Sequence, residues 1–226
     1  MYKAVIFDLF GTLIDCISQR EHEKLLEKMA EILSAPKKDF QRLWADTHQE
    51  RATGVFPTIK DNIIYLCRKL GLAPTPDQVE AATQKRLDLI KKALTPRPDA
   101  VKTLSELRSR GLRVGLITNC SPDVPELWGE TVLSNLVEEP VFSCRVSLIK
   151  PDARIYLLAC EKLGVKPETC LYVGDGGSHE LTGAARVGMS PVLIRVPEEA
   201  ENVIRRDVDD WEGRRVSSLT QILSLV

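Results

Sequence analysis

The sequence predicts an α/β protein: an open sheet of parallel strands with helices on both faces, and an all-α domain inserted after the first strand. Five short apolar, β-branched runs read as buried strands, KAVIF (3–7), RVGLI (113–117), VFSCRV (141–146), CLYVG (170–174) and PVLIRV (191–196). Helical patterns separate the last four at crossover spacing, which implies parallel strands joined by right-handed connections. Between the first run and the second lie about a hundred residues with helical periodicity and no good strand.

Each element has its own justification. The first strand ends in Asp8 and runs into Gly11-Thr12. The inserted segment carries apolar faces at Leu25, Leu26, Met29 and Ile32; at Ile63, Leu66, Cys67 and Leu70 before Gly71; and at Val79, Ala82, Leu87, Ile90 and Leu94. Thr95-Pro96-Arg97-Pro98 marks the return to the core, so the helical domain is expected over 16–95 and the core over 1–15 and 96–226. A helix over 98–110 starts with Pro98 and Asp99 and stops at Gly111; one over 152–163 buries Ile155, Leu158, Ala159 and Leu163 and closes at Gly164. A shorter helix is expected over 179–187 before Gly188. The charged stretch 198–215 reads as a solvated connection before a last helix near 217–225.

Composition narrows the function classes. A chain of 226 residues buries roughly 70–75% of its unfolded surface and needs no disulfides to fold. Its 31 basic and 32 acidic residues leave a net charge of -1, with no broad footprint for nucleic acid or an anionic membrane. No run approaches the roughly 20 apolar residues of a membrane span, and the short N-terminal run broken by Asp8 is no signal peptide. The six cysteines show no C-x-x-C spacing and read as reduced, mostly buried hydrophobes in a cytoplasmic protein. No P-loop, G-x-S-x-G or full G-x-G-x-x-G is present.

In an open parallel sheet, ligands sit outside the carboxyl ends of the strands. Those ends supply Asp8, Thr118-Asn119, and Gly174-Asp175-Gly176-Gly177, with Lys150 after the third strand. A carboxylate on a Gly-Thr turn can attack phosphorus or an activated carbon. The Thr118 hydroxyl and Asn119 amide can donate to a transferring oxyanion, and Lys150 can neutralise its charge. Two carboxylates about 4 Å apart repel by roughly 4 kcal/mol at an effective dielectric near 20. One lysine does not balance Asp8, Asp175 and Glu180 beside an anionic substrate. A divalent cation does, and oxygen-only ligands beside a phosphoryl group point to Mg²⁺.

Four motifs in this order, DLFGTL (8–13), LITN (116–119), Lys150 in IKPDARIY, and YVGDGGSHELTGA (172–184), resemble the haloacid dehalogenase-like superfamily across the whole chain. The resemblance implies a Rossmann-like core with a helical cap inserted after the first motif. It implies that Asp8 is a nucleophile forming a covalent intermediate, that Thr118 and Lys150 hold the transferring group, and that Thr12 supports the loop. It implies Mg²⁺ bound by Asp8, the backbone carbonyl of Phe10 and Asp175, with Glu180 nearby or through water.

One position departs from the pattern. Phosphatases of the superfamily carry an aspartate two residues after the nucleophile as general acid and base; here it is Phe10. The expected activity is Mg²⁺-dependent hydrolysis of a small phosphorylated metabolite, with acyl or aryl phosphates suffering least from the missing acid. The rival is a 2-haloacid dehalogenase, which also carries an aromatic residue there and needs no metal; such enzymes usually hold serine where this chain keeps Asp175. A phosphonate hydrolase and a non-catalytic metabolite-binding regulator stay open. In the cap, Arg20, His22, Trp44, His48, Arg51 and Phe56 are candidates to face the substrate. Substrate identity and oligomeric state stay open.

Overall fold

The computed structural model describes residues 1–197 and 203–226. In chain order the elements are β1 (Ala4–Phe7), α1 (Gln19–Ile32), α2 (Lys37–Asp46), α3 (His48–Ala52), α4 (Ile59–Lys69), α5 (Pro76–Ala93), α6 (Ala100–Ser109), β2 (Arg113–Thr118), α7 (Asp123–Leu127), β3 (Glu139–Phe142), α8 (Ser143–Val146), α9 (Ala153–Leu163), β4 (Cys170–Gly174), α10 (Glu180–Arg186), β5 (Ser190–Ile194) and β6 (Arg215–Val216). The strands form one parallel sheet in the order β3-β2-β1-β4-β5-β6, as the strand–helix alternation requires.

The sheet alternates with period two across two cores. Val5, Phe7, Val114, Leu116, Leu171 and Val173 face one side, under α6 and α7. Ala4, Ile6, Ile117 and Tyr172 face the other, against Ile155, Ala159 and Leu163 of α9 and Leu181 of α10. Burying a side chain of this size contributes about 1.5–3 kcal/mol, so these two layers hold the sheet together.

The helices between β1 and α6 build a third core from Leu25, Met29, Phe40, Trp44, Ile63, Leu66, Val79 and Ala82. Local signals set their starts. Ser18 accepts from the Glu21 amide at α1, and Thr58 with Asp61 and Thr75 with Gln78 form capping boxes at α4 and α5. The far end of α5 leaves this core: Ile90 and Leu94 pack with the sheet, so α5 carries the helical cap's attachment to the body.

Several elements differ from the sequence reading. The run 141–146 is a strand only to Phe142. There the buried Ser143 hydroxyl accepts from the Cys120 amide (2.9 Å) and donates to the Cys120 carbonyl (3.3 Å), drawing the chain off the sheet into α8. The helix expected near 217–225 is a short 3₁₀ turn, Leu219–Ser224, whose first amides donate to Asp99. Of the charged stretch 198–215, residues 198–202 lie outside the described residues. Most of the remainder is exposed, as a solvated connection requires, but it is also tied to the body: β6 extends the sheet beside β5, and Asp209 accepts from the amides of Leu181 and Thr182 at the start of α10. No helix among the described residues is long and apolar enough to cross a membrane.

Candidate active site

Parallel register assembles the site. Phe7 aligns with Leu116 on one side and Val173 on the other, so Asp8, Thr118 and Asp175 emerge at one edge of the sheet. The Asp8 amide donates to the Val173 carbonyl at 2.9 Å, anchoring the carboxylate's base to β4. Gly11 then folds the loop back with φ of 80°; a Cβ there would lie 2.2 Å from Asp175 Oδ2. Only glycine permits that approach.

Lys150 is the hub. Its buried ammonium donates to Asp8 Oδ1 (2.5 Å) and Glu180 Oε2 (2.6 Å). Asn119 holds the Lys150 backbone from both ends: its Oδ1 accepts from the Lys150 amide (2.9 Å), and its Nδ2 donates to the Lys150 carbonyl (3.4 Å). The Asn119 amide thereby positions Lys150 rather than turning to a transferring oxygen. Glu180 accepts further from the Tyr172 hydroxyl on Oε2 (2.8 Å) and the Gly176 amide on Oε1 (2.9 Å). Asp175 accepts from the Gly177 amide (2.9 Å) and from Arg205 Nε (2.5 Å). Thr12 Oγ1 donates to Asp8 Oδ2 at 3.3 Å, a longer bond than the one Lys150 makes to Oδ1. The Thr118 hydroxyl is buried, lines the cavity and has no hydrogen-bond partner among the described residues.

Asp8, Asp175 and Glu180 each present an oxygen within 4.8 Å of the others. Burial raises the Asp8 pKa, Lys150 opposing and Asp175 adding to the rise. Burial, then Asp8, pushes Glu180 up to about 8. For Lys150, burial works against the charge, but Asp8 and Glu180 outweigh it and hold the ammonium protonated. The three carboxylates outnumber Lys150 and Arg205, and that excess, with oxygen donors alone, fits a hard divalent cation such as Mg²⁺. Arg205 competes with such a cation for Asp175 Oδ2.

The cavity over this floor is about 650 Å³. Its wall includes the half-buried Phe10 and, from the cap, His22, Trp44, His48 and Arg51. Arg20 is exposed and Phe56 packs at a tilt against Tyr65, ring centres 5.3 Å apart; neither lines the cavity. Cys120 does, its thiol raised by burial.

Sequence reasoning missed Tyr156, Tyr172, Arg86 and Arg205. Tyr172 could have been suspected, because its hydroxyl must find an acceptor inside a buried strand. Tyr156 likewise donates to the Glu180 carbonyl at 2.9 Å from inside α9. Arg86 and Arg205 sat in charged surroundings with no distinguishing spacing.

Comparison with known proteins places this geometry. The model of the family described as haloacid dehalogenase-like hydrolase matches residues 2–188. A glyceraldehyde 3-phosphate phosphatase of Methanopyrus kandleri is 30% identical over 99% of this chain and 97% of its own. An (S)-2-haloacid dehalogenase of a Pseudomonas species (strain YL) is 28% identical over 99% of this chain and 94% of its own. Among solved structures, a HAD phosphatase from Thermococcus onnurineus superposes with a TM-score of 0.65 at 23% identity, covering 99% of this chain and 97% of that one, and so shares the fold. Motifs, topology and whole-length relatives agree that this chain belongs to the haloacid dehalogenase-like hydrolases.

Proposed function

We propose that the protein is a Mg²⁺-dependent phosphatase acting on a small phosphorylated metabolite in the cytoplasm, through an aspartyl-phosphate at Asp8. The observation that carries the reading is the floor of the cavity, where Asp175 and Glu180 stand beside Asp8. Without a cation these anions repel any anionic substrate, a haloacid's carboxylate included. In this reading residues 1–15 and 96–226 supply the catalytic core, and residues 16–95 the cap that selects substrate.

Asp8 Oδ2 attacks phosphorus, since Lys150 holds Oδ1. The Asp8–phosphorus bond forms as the bond to the leaving oxygen breaks. The unpartnered Thr118 hydroxyl and the Lys150 ammonium take up the oxygens of the transferring group, and Thr12 supports Asp8 throughout. Water then cleaves the acyl phosphate, releasing phosphate and restoring the carboxylate. Asp8, the Phe10 carbonyl and Asp175 would hold Mg²⁺, with Glu180 nearby or through water; when bound, the ion would supply charge compensation at the phosphoryl oxygens. Phe10 delivers no proton to the leaving group. That absence costs about 10²–10⁴-fold, roughly 3–5 kcal/mol of barrier, for an alkyl phosphate. Acyl and aryl phosphates avoid it.

The same Phe10 favours a second reading, 2-haloacid dehalogenation with Asp8 attacking carbon. The test is phosphate release from an aryl phosphate, an acyl phosphate and glyceraldehyde 3-phosphate (the substrate named for the archaeal relatives), with Mg²⁺ and with chelator. The expected result is Mg²⁺-dependent release, fastest for acyl and aryl substrates and abolished in Asp8→Asn. Halide release from a 2-haloacid under chelation, with no phosphate release, establishes the second reading instead.

A further inference from the structure

The cavity has a second pole that the phosphoryl chemistry leaves unused. Arg51 on α3 is buried, 5% exposed, and lines the cavity. Its Nη1 donates to Thr47 Oγ1 (2.7 Å) and Asn62 Oδ1 (3.2 Å), both neutral acceptors, and among the described residues its Nε and Nη2 have no acceptor. Arg86 on α5, 7% exposed, lines the same cavity; its Nε donates to the fully buried Asp123 (2.5 Å) and its Nη2 to Ser121 (3.4 Å). Trp44 joins the two, with the guanidinium of Arg51 4.3 Å and that of Arg86 5.6 Å from its ring. The roof thus sets two buried guanidiniums against one buried carboxylate. The acid that lines the cavity from α1, Glu23, is exposed and takes a hydrogen bond from Gln19.

Burying a cation without an anionic partner costs several kcal/mol. Its imprint is visible in the neighbours: burial, then Arg86, brings Arg51 down to about 9, and burial, Arg86 and Arg51 hold His22 at about 4. The hydrogen bonds to Thr47 and Asn62 keep the Arg51 guanidinium in place at the roof. A fork of unused N–H donors held rigidly over an aromatic ring is built for a planar oxyanion.

We propose that Arg51 and Arg86, with Trp44, form an anion subsite for a second negative group of the substrate, so that the preferred substrate is a small organic phosphate carrying a carboxylate at its other end. This rests on the phosphatase reading for the role of the floor. It distinguishes the chain's own substrate from one that ends in a neutral aldehyde or alcohol.

The test uses two non-hydrolysable phosphonates of equal length, one ending in a carboxylate and one in a primary alcohol. Their binding to the Mg²⁺-loaded protein is followed by calorimetry and by the fluorescence of Trp44, identified by difference from Trp44→Phe. The wild-type protein should bind the carboxylate compound at least about tenfold more tightly, and the two should quench Trp44 unequally. Arg51→Gln and Arg86→Gln should each shrink the ratio towards one, with Arg51→Lys intermediate. Equal affinities in the wild-type protein overturn the proposal, and that comparison needs no variant to fold. A preserved ratio in folded Arg51→Gln and Arg86→Gln, with folding verified by thermal unfolding, also overturns it. Binding selectivity with no phosphate release from any ester would remove the phosphatase reading and leave the subsite standing.

Discussion

Phe10 occupies the position from which a proton would reach the leaving group, and it lines the cavity with a ring that can carry none. Phe10→Asp should raise turnover of alkyl phosphates by about 10–10³-fold and leave aryl phosphates nearly unchanged, measured as kcat for a matched pair of leaving groups. A fall for both would contradict the account of this position. His22 offers a second residue-scale prediction. Its pKa of about 4 when folded lies below the ordinary 6.5, so between these values the unfolded chain binds a proton that the folded chain refuses. Stability contributed by neutral His22 is present above pH 6.5 and falls away as pH drops towards 4. Wild-type protein should lose about 2 kcal/mol more than His22→Gln across that window, read from urea unfolding at each pH. Identical slopes would contradict it. At this scale Asp8 and Asp175 were readable as candidates because each directly follows a strand, whereas Lys150 comes only after α8. Arg51 was only one of several cap candidates, because nothing in sequence tells a buried guanidinium from a solvated one.

Elements were legible where burial imposes a period. The strands KAVIF and CLYVG and the helices around Ile155 and Ile63 announce themselves through residues that must avoid water. The helix α2 did not, because its buried contribution rests on Phe40 and Trp44 amid charged neighbours, too thin a stripe to read. The stretch from Val203 to Asp209 was missed for a different reason. Its polar groups serve the loop after β4, the Arg206 and Asp207 carbonyls accepting from Ser178 and His179, and charge patterning cannot show which polar group will meet a distant amide. The join between cap and body is equally silent in sequence: Arg86 of α5 meets the fully buried Asp123 of α7 in a buried pair. Asp123→Asn keeps the shape and leaves both roof arginines without a buried anion. It should cost about 3–5 kcal/mol in denaturant unfolding. A loss below about 1 kcal/mol would mean that the pair does not hold cap and body together.

At the scale of the whole molecule, one fold serves relatives named as phosphatases and as dehalogenases, and the chain resembles both over nearly its whole length. Fold does not decide between them; in the function proposed above, the charge of the site does. Here the floor sets three carboxylates against Lys150 and Arg205, and the roof two guanidiniums against one carboxylate. A cation at the floor and a doubly anionic substrate bridging to the roof satisfy both poles at once. The central claim is the covalent step at the floor. It is tested most directly by acid-quenching the Mg²⁺-loaded protein during turnover of an acyl or aryl phosphate and locating phosphate on the chain by mass spectrometry of its peptides. The account predicts phosphate on the peptide containing Asp8, absent from Asp8→Asn and from protein treated with chelator. Phosphate on any other residue, or turnover that never labels Asp8, would contradict it.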